Sequence, residues 1–118
     1  MDVERIRRAL ERFGSRFIKR IFDGREIGEA GKFKDPSQFF ASRFAAKEAF
    51  SKAVGTGFTG FGPRDVIILR DRGNPPRIEF SQKLQKLFPA ARPEDFVLSL
   101  SHDKGIAIAS VIFRKTAG

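Results

Sequence analysis

Apolar residues recur at three- and four-residue spacings from the start of the chain. Val3, Ile6, Leu10 and Phe13 form one stripe, which predicts an N-terminal helix. Arg5, Arg8 and Arg12 share a different face of that helix by the same spacing. Gly14-Ser15 interrupts the pattern, and Ser15 is expected to cap a second short helix carrying Phe17, Ile18 and Ile21. Gly24, Gly28 and Gly31 predict a loop. The longest helix is expected over residues 36–54, with Asp35 as its cap, Pro36 in its first turn and Gly55 at its end. Its alanines at 41, 45, 46, 49 and 53 would let neighbouring elements approach closely.

The second half changes period. Residues 65–70 are apolar and largely β-branched, residues 71–75 read as a turn, and residues 77–80 alternate, which predicts a hairpin. Residues 82–88 predict a short helix stopped by Pro89. In residues 95–101, Phe96, Leu98 and Leu100 fall on one face of a strand. His102-Asp103-Lys104-Gly105 reads as a turn, and residues 106–113 as a strand apolar on both faces and therefore covered on both sides. Helices early and antiparallel strands late predict an α+β protein, helices packed on a small antiparallel sheet. At 118 residues the chain is one domain, residues 1–118.

Composition narrows the chemistry. There is no cysteine, so a disulfide framework, a thiolate metal site and a cysteine nucleophile are excluded, and one histidine excludes a multi-histidine site within one chain. A bound metal would be oxygen-ligated, which favours a hard cation such as magnesium. No run approaches the ~18–20 apolar residues of a membrane span. The N-terminus lacks the apolar core of a signal peptide, so a cytoplasmic protein is expected. Twenty-three Lys and Arg against 14 Asp and Glu give a net charge of +9, which points to an anionic partner: nucleic acid, a phosphorylated small molecule, an acidic protein or an anionic membrane. Fourteen Phe without Tyr or Trp suit core packing better than a base-stacking platform.

Gly55-Thr56-Gly57-Phe58-Thr59-Gly60 spells G-x-G-x-x-G, but a helix precedes it and a Pro-led strand follows. A dinucleotide fingerprint needs the reverse order, so the stretch reads as a helix end and a tight loop. Arg43, Lys47, Glu48 and Lys52 are the densest constellation: Arg43 and Lys47 are four apart, as are Glu48 and Lys52. Such spacing serves a solvated helix equally well, where Glu before Lys adds a few tenths of a kcal/mol. It would also serve a cation-rich helix presenting one carboxylate to a phosphorylated ligand. Ser101, His102 and Asp103 could be written as a triad, but sequence neighbours do not converge as a triad must. A basic nucleic-acid-binding module using the arginine-rich first helix is the alternative function, although no helix-turn-helix, RNP-type or KH-type signature is present.

The stretch Phe40-Ala-Ser-Arg-Phe-Ala-Ala-Lys-Glu-Ala-Phe-Ser-Lys-Ala-Val-Gly-Thr-Gly57 resembles the signature F-x-x-R-F-A-A-K-E-A-x-x-K-A-x-G-T-G of the holo-[acyl-carrier-protein] synthases, the short 4′-phosphopantetheinyl transferases. Every fixed position is present. Residues 2–6 and 11–17 resemble the family's first helix, Gly73-Asn74-Pro75 its G-x-P turn, and Leu98-Ser-Leu-Ser-His102 its S-h-S-H strand end. The resemblance implies transfer of the phosphopantetheine arm of coenzyme A to a serine of apo acyl carrier protein, magnesium-dependent, for fatty acid biosynthesis. By the same resemblance Glu48 is a magnesium ligand placed to help deprotonate the serine, and Lys52 lies near the pyrophosphate. Arg43, Lys47 and His102 belong to the coenzyme A phosphate-binding set, Gly55, Thr56 and Gly57 bring backbone close to it, and Pro75 lies near its adenine. Arg5, Arg8 and Arg12 become a docking surface for the carrier. The expected partners are acyl carrier protein and coenzyme A, not nucleic acid or membrane. The family is homotrimeric, with sites between subunits.

One departure stands out. The family carries an apolar strand, roughly G-h-G-h-D-I-V, before its first helix, and the Asp of that strand is a magnesium ligand. The sequence begins where that strand would have ended, and Asp2 corresponds to a later acidic position, so it is not placed in the metal site. Met1 standing where the family often has Val suggests a longer natural chain, with that strand and ligand upstream.

Overall fold

The computed structural model describes residues 1–114. Three helices open the chain: α1 (Val3–Phe13), α2 (Ser15–Ile21) and α3 (Gly24–Ala30). The long helix α4 (Ser37–Ala53) follows, then strands β1 (Val66–Leu69) and β2 (Arg77–Phe80). A short helix α5 (Gln82–Leu87) leads to strands β3 (Phe96–Asp103) and β4 (Ile106–Phe113). β1 and β2 form one antiparallel ladder with Ile68 opposite Ile78; β3 and β4 form a second with Leu100 opposite Ala109.

Local sequence explains the element ends. Asp2 caps α1 by accepting the Glu4 N–H at 3.0 Å. Val3 and Ile6 bury one stripe of α1, but Phe13 at its far end is 55% exposed, so the apolar stripe seals the core only as far as Leu10. α2 is not capped by Ser15. The break falls at Gly14, whose φ of +58° turns the chain at little cost for a residue without Cβ. The glycine-marked stretch expected as a loop is the helix α3. Asp23 caps it, and the Glu26 side chain accepts the Asp23 N–H at 2.9 Å, a reciprocal capping box that outweighs a glycine at the first position and one inside the helix, Gly28. Asp35 holds the start of α4 by accepting both the N–H and the hydroxyl of Ser37, at 3.1 and 2.7 Å. Gly55, with φ of +83°, follows the helix end.

α4 packs against α1, β1, β3 and β4 and separates two cores. On one side Phe50, Phe61, Val66, Ile68, Ile78, Phe80, Leu84 and Phe96 close together, with Phe50 and Phe96 ring centroids 4.7 Å apart. On the other, Val3, Ile6, Phe22, Phe39 and Phe40 pack with Ala107 of β4. Ala41 and Ala46 are fully buried, which allows the close approach expected of the alanines. The β3–β4 turn is tighter than the sequence suggests: His102 and Asp103 are strand residues opposite Ala107 and Ile106, and only Lys104 and Gly105, both with positive φ, make the reversal. β4 is covered on one face only. Ala107 is buried, whereas Ile106, Ile108 and Ile112 are 49, 53 and 59% exposed, together with Val97 of β3 at 46%. Among the described residues no helix is long and apolar enough to cross a membrane.

Candidate active site

Helix α4 carries four of the expected site residues, and the fold sends them to different surroundings. Lys47 is fully buried. Its ammonium donates to Glu26 Oε1 at 2.8 Å, to the Pro63 carbonyl at 2.9 Å and to the Val66 carbonyl. All three hydrogens are used inside the protein, so Lys47 is corrected out of the phosphate-binding set. Glu26, fully buried as well, also accepts the Ile68 N–H of β1 at 3.0 Å. Burial pushes the Glu26 carboxyl up and the Lys47 ammonium down, and their mutual attraction opposes both shifts. The pair is a three-way joint between α3, α4 and β1.

Arg43 is 9% exposed and lies over the Phe39 ring at 4.1 Å. Its Nη1 donates to Ser42 Oγ at 3.0 Å, and its Nε is buried with no partner. Burial lowers its pKa from the ordinary guanidinium value; Glu29 opposes this and the nearby Arg70 adds to it. Arg43 lines a cleft of about 640 Å³ whose other walls include Phe33, Gln38, Phe39, Arg70, Leu100, Ser101 and His102. The expected Arg43 and His102, on α4 and β3, are thus brought into one cleft. Glu48, Lys52, Gly55, Thr56, Gly57 and Pro75 are not among its lining residues.

Glu48 is half-buried and Lys52 exposed, on one helix face by their spacing of four. Among the described residues neither side chain is bonded to another, and the solvated ion pair that the spacing allows is not formed. From Arg43 to Lys52 the helix rises about 13 Å, so cations stand at both ends of this stretch. Beyond it the glycine loop folds back: the Gly57 N–H donates to the Ser51 carbonyl at 3.0 Å and the Thr59 hydroxyl to the Thr56 carbonyl at 2.8 Å. The loop ends a helix and leads through one 3-10 turn at residues 63–65 into β1, not into an α-helix as a dinucleotide fingerprint requires. Pro75 is exposed in the β1–β2 turn. Arg5, Arg8 and Arg12 are all exposed on α1, with Arg8 within 3.9 Å of Glu4. Ser101, His102 and Asp103 lie in succession along β3, which holds neighbouring side chains apart and rules out their triad.

Two residues of this arrangement are missing from the sequence reading. Arg70 follows β1 as a lone arginine, with no spacing to single it out. Glu26 carries a legible signal, the Asp23-x-x-Glu26 capping-box spacing, which would also have revealed α3.

The profile of the 4′-phosphopantetheinyl transferase superfamily matches residues 1–109. The chain belongs to that superfamily. This 4′-phosphopantetheinyl transferase is 40% identical over 112 residues to a holo-[acyl-carrier-protein] synthase of Clostridium botulinum, covering 95% of the chain and 89% of the relative. It is 36% identical over 116 residues to the one of Geotalea daltonii, covering 98 and 93%. Its fold matches the crystal structure of the Neisseria meningitidis holo-[acyl-carrier-protein] synthase with a TM-score of 0.86 at 34% identity, over 98% of the chain and 93% of that protein. The Helicobacter pylori enzyme, solved in complex with coenzyme A, superposes with a TM-score of 0.81 at 32% identity, over 96 and 94%. The transferase is an enzyme of this synthase group.

Magnesium fits the transferase only in one way. Among the described residues no three metal-ligating side chains converge, so no preformed cage exists. Glu48 offers a single unpartnered carboxylate. That matches a hard cation held by one or two carboxylates, with substrate phosphate oxygens and water completing its shell.

Proposed function

We propose that this transferase moves the 4′-phosphopantetheine arm of coenzyme A to a serine of an apo acyl carrier protein. The serine oxygen attacks the pyrophosphate phosphorus that bears the pantetheine arm. The bond from that phosphorus to the bridging oxygen breaks, and adenosine 3′,5′-bisphosphate leaves. Glu48 takes the serine proton, directly or through a water, and Lys52 neutralises the charge developing on the leaving phosphate. Such transfer needs positioning and charge neutralisation more than covalent help. Magnesium, which Glu48 would hold, supplies part of that neutralisation when bound. Arg43 and His102 bind phosphate, Gly55, Thr56 and Gly57 lie along the cofactor, and Pro75 lies near adenine. Arg5, Arg8 and Arg12 receive the acidic carrier.

The observation that supports this reading most is Arg43: a buried guanidinium with an unpartnered Nε, lining a cleft with His102. A buried donor without an acceptor costs about 1–3 kcal/mol, which an anionic ligand would offset.

We further infer a homotrimer acting in fatty acid biosynthesis in the cytoplasm. Support for assembly comes from the bare apolar face of Val97, Ile106, Ile108 and Ile112, and from the division of the proposed site residues within one chain. A neighbouring copy would cover the first and complete the second. The test is incubation with coenzyme A, magnesium and an apo carrier protein, read by mass. A gain equal to one phosphopantetheine arm is expected, and an unchanged carrier mass would overturn the reading.

A further inference from the structure

With Lys47 sequestered, the cleft keeps a second guanidinium from another part of the chain. Arg70 leaves β1 at the cleft, where its charge is felt by Arg43. Its Nε donates to the Asn74 carbonyl at 3.0 Å. Among the described residues its two terminal nitrogens have no partner. Glu29 accepts the Arg70 backbone N–H at 3.4 Å, and Asp35 is bonded to Arg7 and Ser37.

Two guanidiniums brought to one cleft repel each other; Glu29 opposes that repulsion at Arg43, while the terminal nitrogens of Arg70 stay open to an anion among the described residues. Arg43 is held by burial and by Phe39, and the exposed Arg70 is tethered at its Nε by Asn74, which lowers the ordering a ligand must impose. Two guanidiniums beside a histidine match a doubly charged phosphate monoester better than a singly charged diester oxygen. Coenzyme A carries one such group, the phosphate on its ribose.

We propose that Arg70 is a specificity-determining residue of this transferase, reading the terminal phosphate monoester of its nucleotide substrate together with Arg43. The assignment rests on the coenzyme A reading above. Through the Nε–Asn74 bond the same arginine ties the β1–β2 turn, with Pro75 in it, to the phosphate.

The experiment is calorimetric titration of the full chain and of Arg70→Met with coenzyme A and with 3′-dephospho-coenzyme A. The wild-type chain should bind coenzyme A at least about tenfold more tightly than the dephospho form. Arg70→Met should lose roughly tenfold for coenzyme A and change by less than about twofold for the dephospho form. Arg70→Lys keeps the charge but not the fork, and should recover only part of the loss. Equal losses for both ligands, or no loss for coenzyme A, would overturn the role of Arg70 while leaving the coenzyme A reading intact. Wild-type chain that binds neither ligand would overturn both.

Discussion

Lys47 and Glu48 are neighbours on α4, yet their charges meet opposite fates. Lys47 turns into the protein and closes with Glu26, each fully buried and each hydrogen-bonded to its capacity or close to it. Glu48 turns outward, half-buried, and forms no pair with Lys52 one turn on, although the spacing permits it. One pair is a joint in the fold, and the other is left open to a ligand. The difference teaches that in this helix a charge's partner reveals its work better than its residue type does. Charges with internal partners hold the structure, and those without are available to substrates.

The largest effect should come from opening the closed pair. Lys47→Met leaves Glu26 buried without its counter-charge, and should destabilise the protein by about 3–5 kcal/mol in a urea titration. The double variant Glu26→Gln/Lys47→Met removes both charges and keeps one amide oxygen for either the Asp23 or the Ile68 N–H, and should regain part of the loss. Full stability in Lys47→Met together with lost coenzyme A binding would break the comparison, because Lys47 would then belong with Glu48.

Glu48→Gln should give the converse. The amide keeps the size and removes the charge, so turnover should fall by roughly 10²–10⁴-fold. The urea midpoint should move little, since no internal partner loses a bond. Measuring carrier modification by mass beside the unfolding curve separates the two. A large stability loss with modest activity loss would make Glu48 a structural residue.

Much of this was legible in the residues. The apolar pattern gave α1 and the strands, and the end signals gave α4, within a residue or two; β1, buried at every position, showed as an unbroken apolar run. The motif on α4 placed Arg43, Glu48 and Lys52 on one helix. Helix α3 was hidden because glycines argue against a helix, while the evidence for it lay in side-chain caps at Asp23 and Glu26. The fate of Lys47 was hidden for a different reason. Spacing tells which residues share a helix face, but whether that face meets solvent or β1 depends on packing from distant sequence. Arg70 enters the cleft by the same route, through tertiary placement alone.

Arg5 sharpens the rule at the surface. It is exposed on α1 and has no bonded partner among the described residues, so by the argument from α4 it should serve a partner molecule. Arg5→Glu should raise the KM for the carrier by roughly tenfold and leave coenzyme A affinity within about twofold. The carrier effect should shrink with added salt, as exposed charges are screened. Equal loss of both affinities would move Arg5 into the cofactor site.

Asp35 gives the smallest effect and the strictest test, since it is exposed yet fully partnered. The Ser37 hydroxyl and N–H, then Arg7, hold its carboxyl below the usual carboxylate range. A carboxyl lowered by folding stabilises the native state above its unfolded pKa of about 3.9, and that contribution fades as pH falls through the lower folded value. Asp35→Asn keeps an acceptor for Ser37 and removes the charge. The thermal midpoint of the wild-type chain should therefore exceed that of Asp35→Asn by a small constant margin at neutral pH. The margin should hold down to about pH 4 and close below it as the wild-type carboxyl takes up its proton. A margin that persists unchanged to pH 2 would show that the charge contributes nothing and that the acceptor geometry alone starts α4. A margin that widens on acidification would contradict the sign of the shift, and with it the claim that partnered charges on this protein serve the fold.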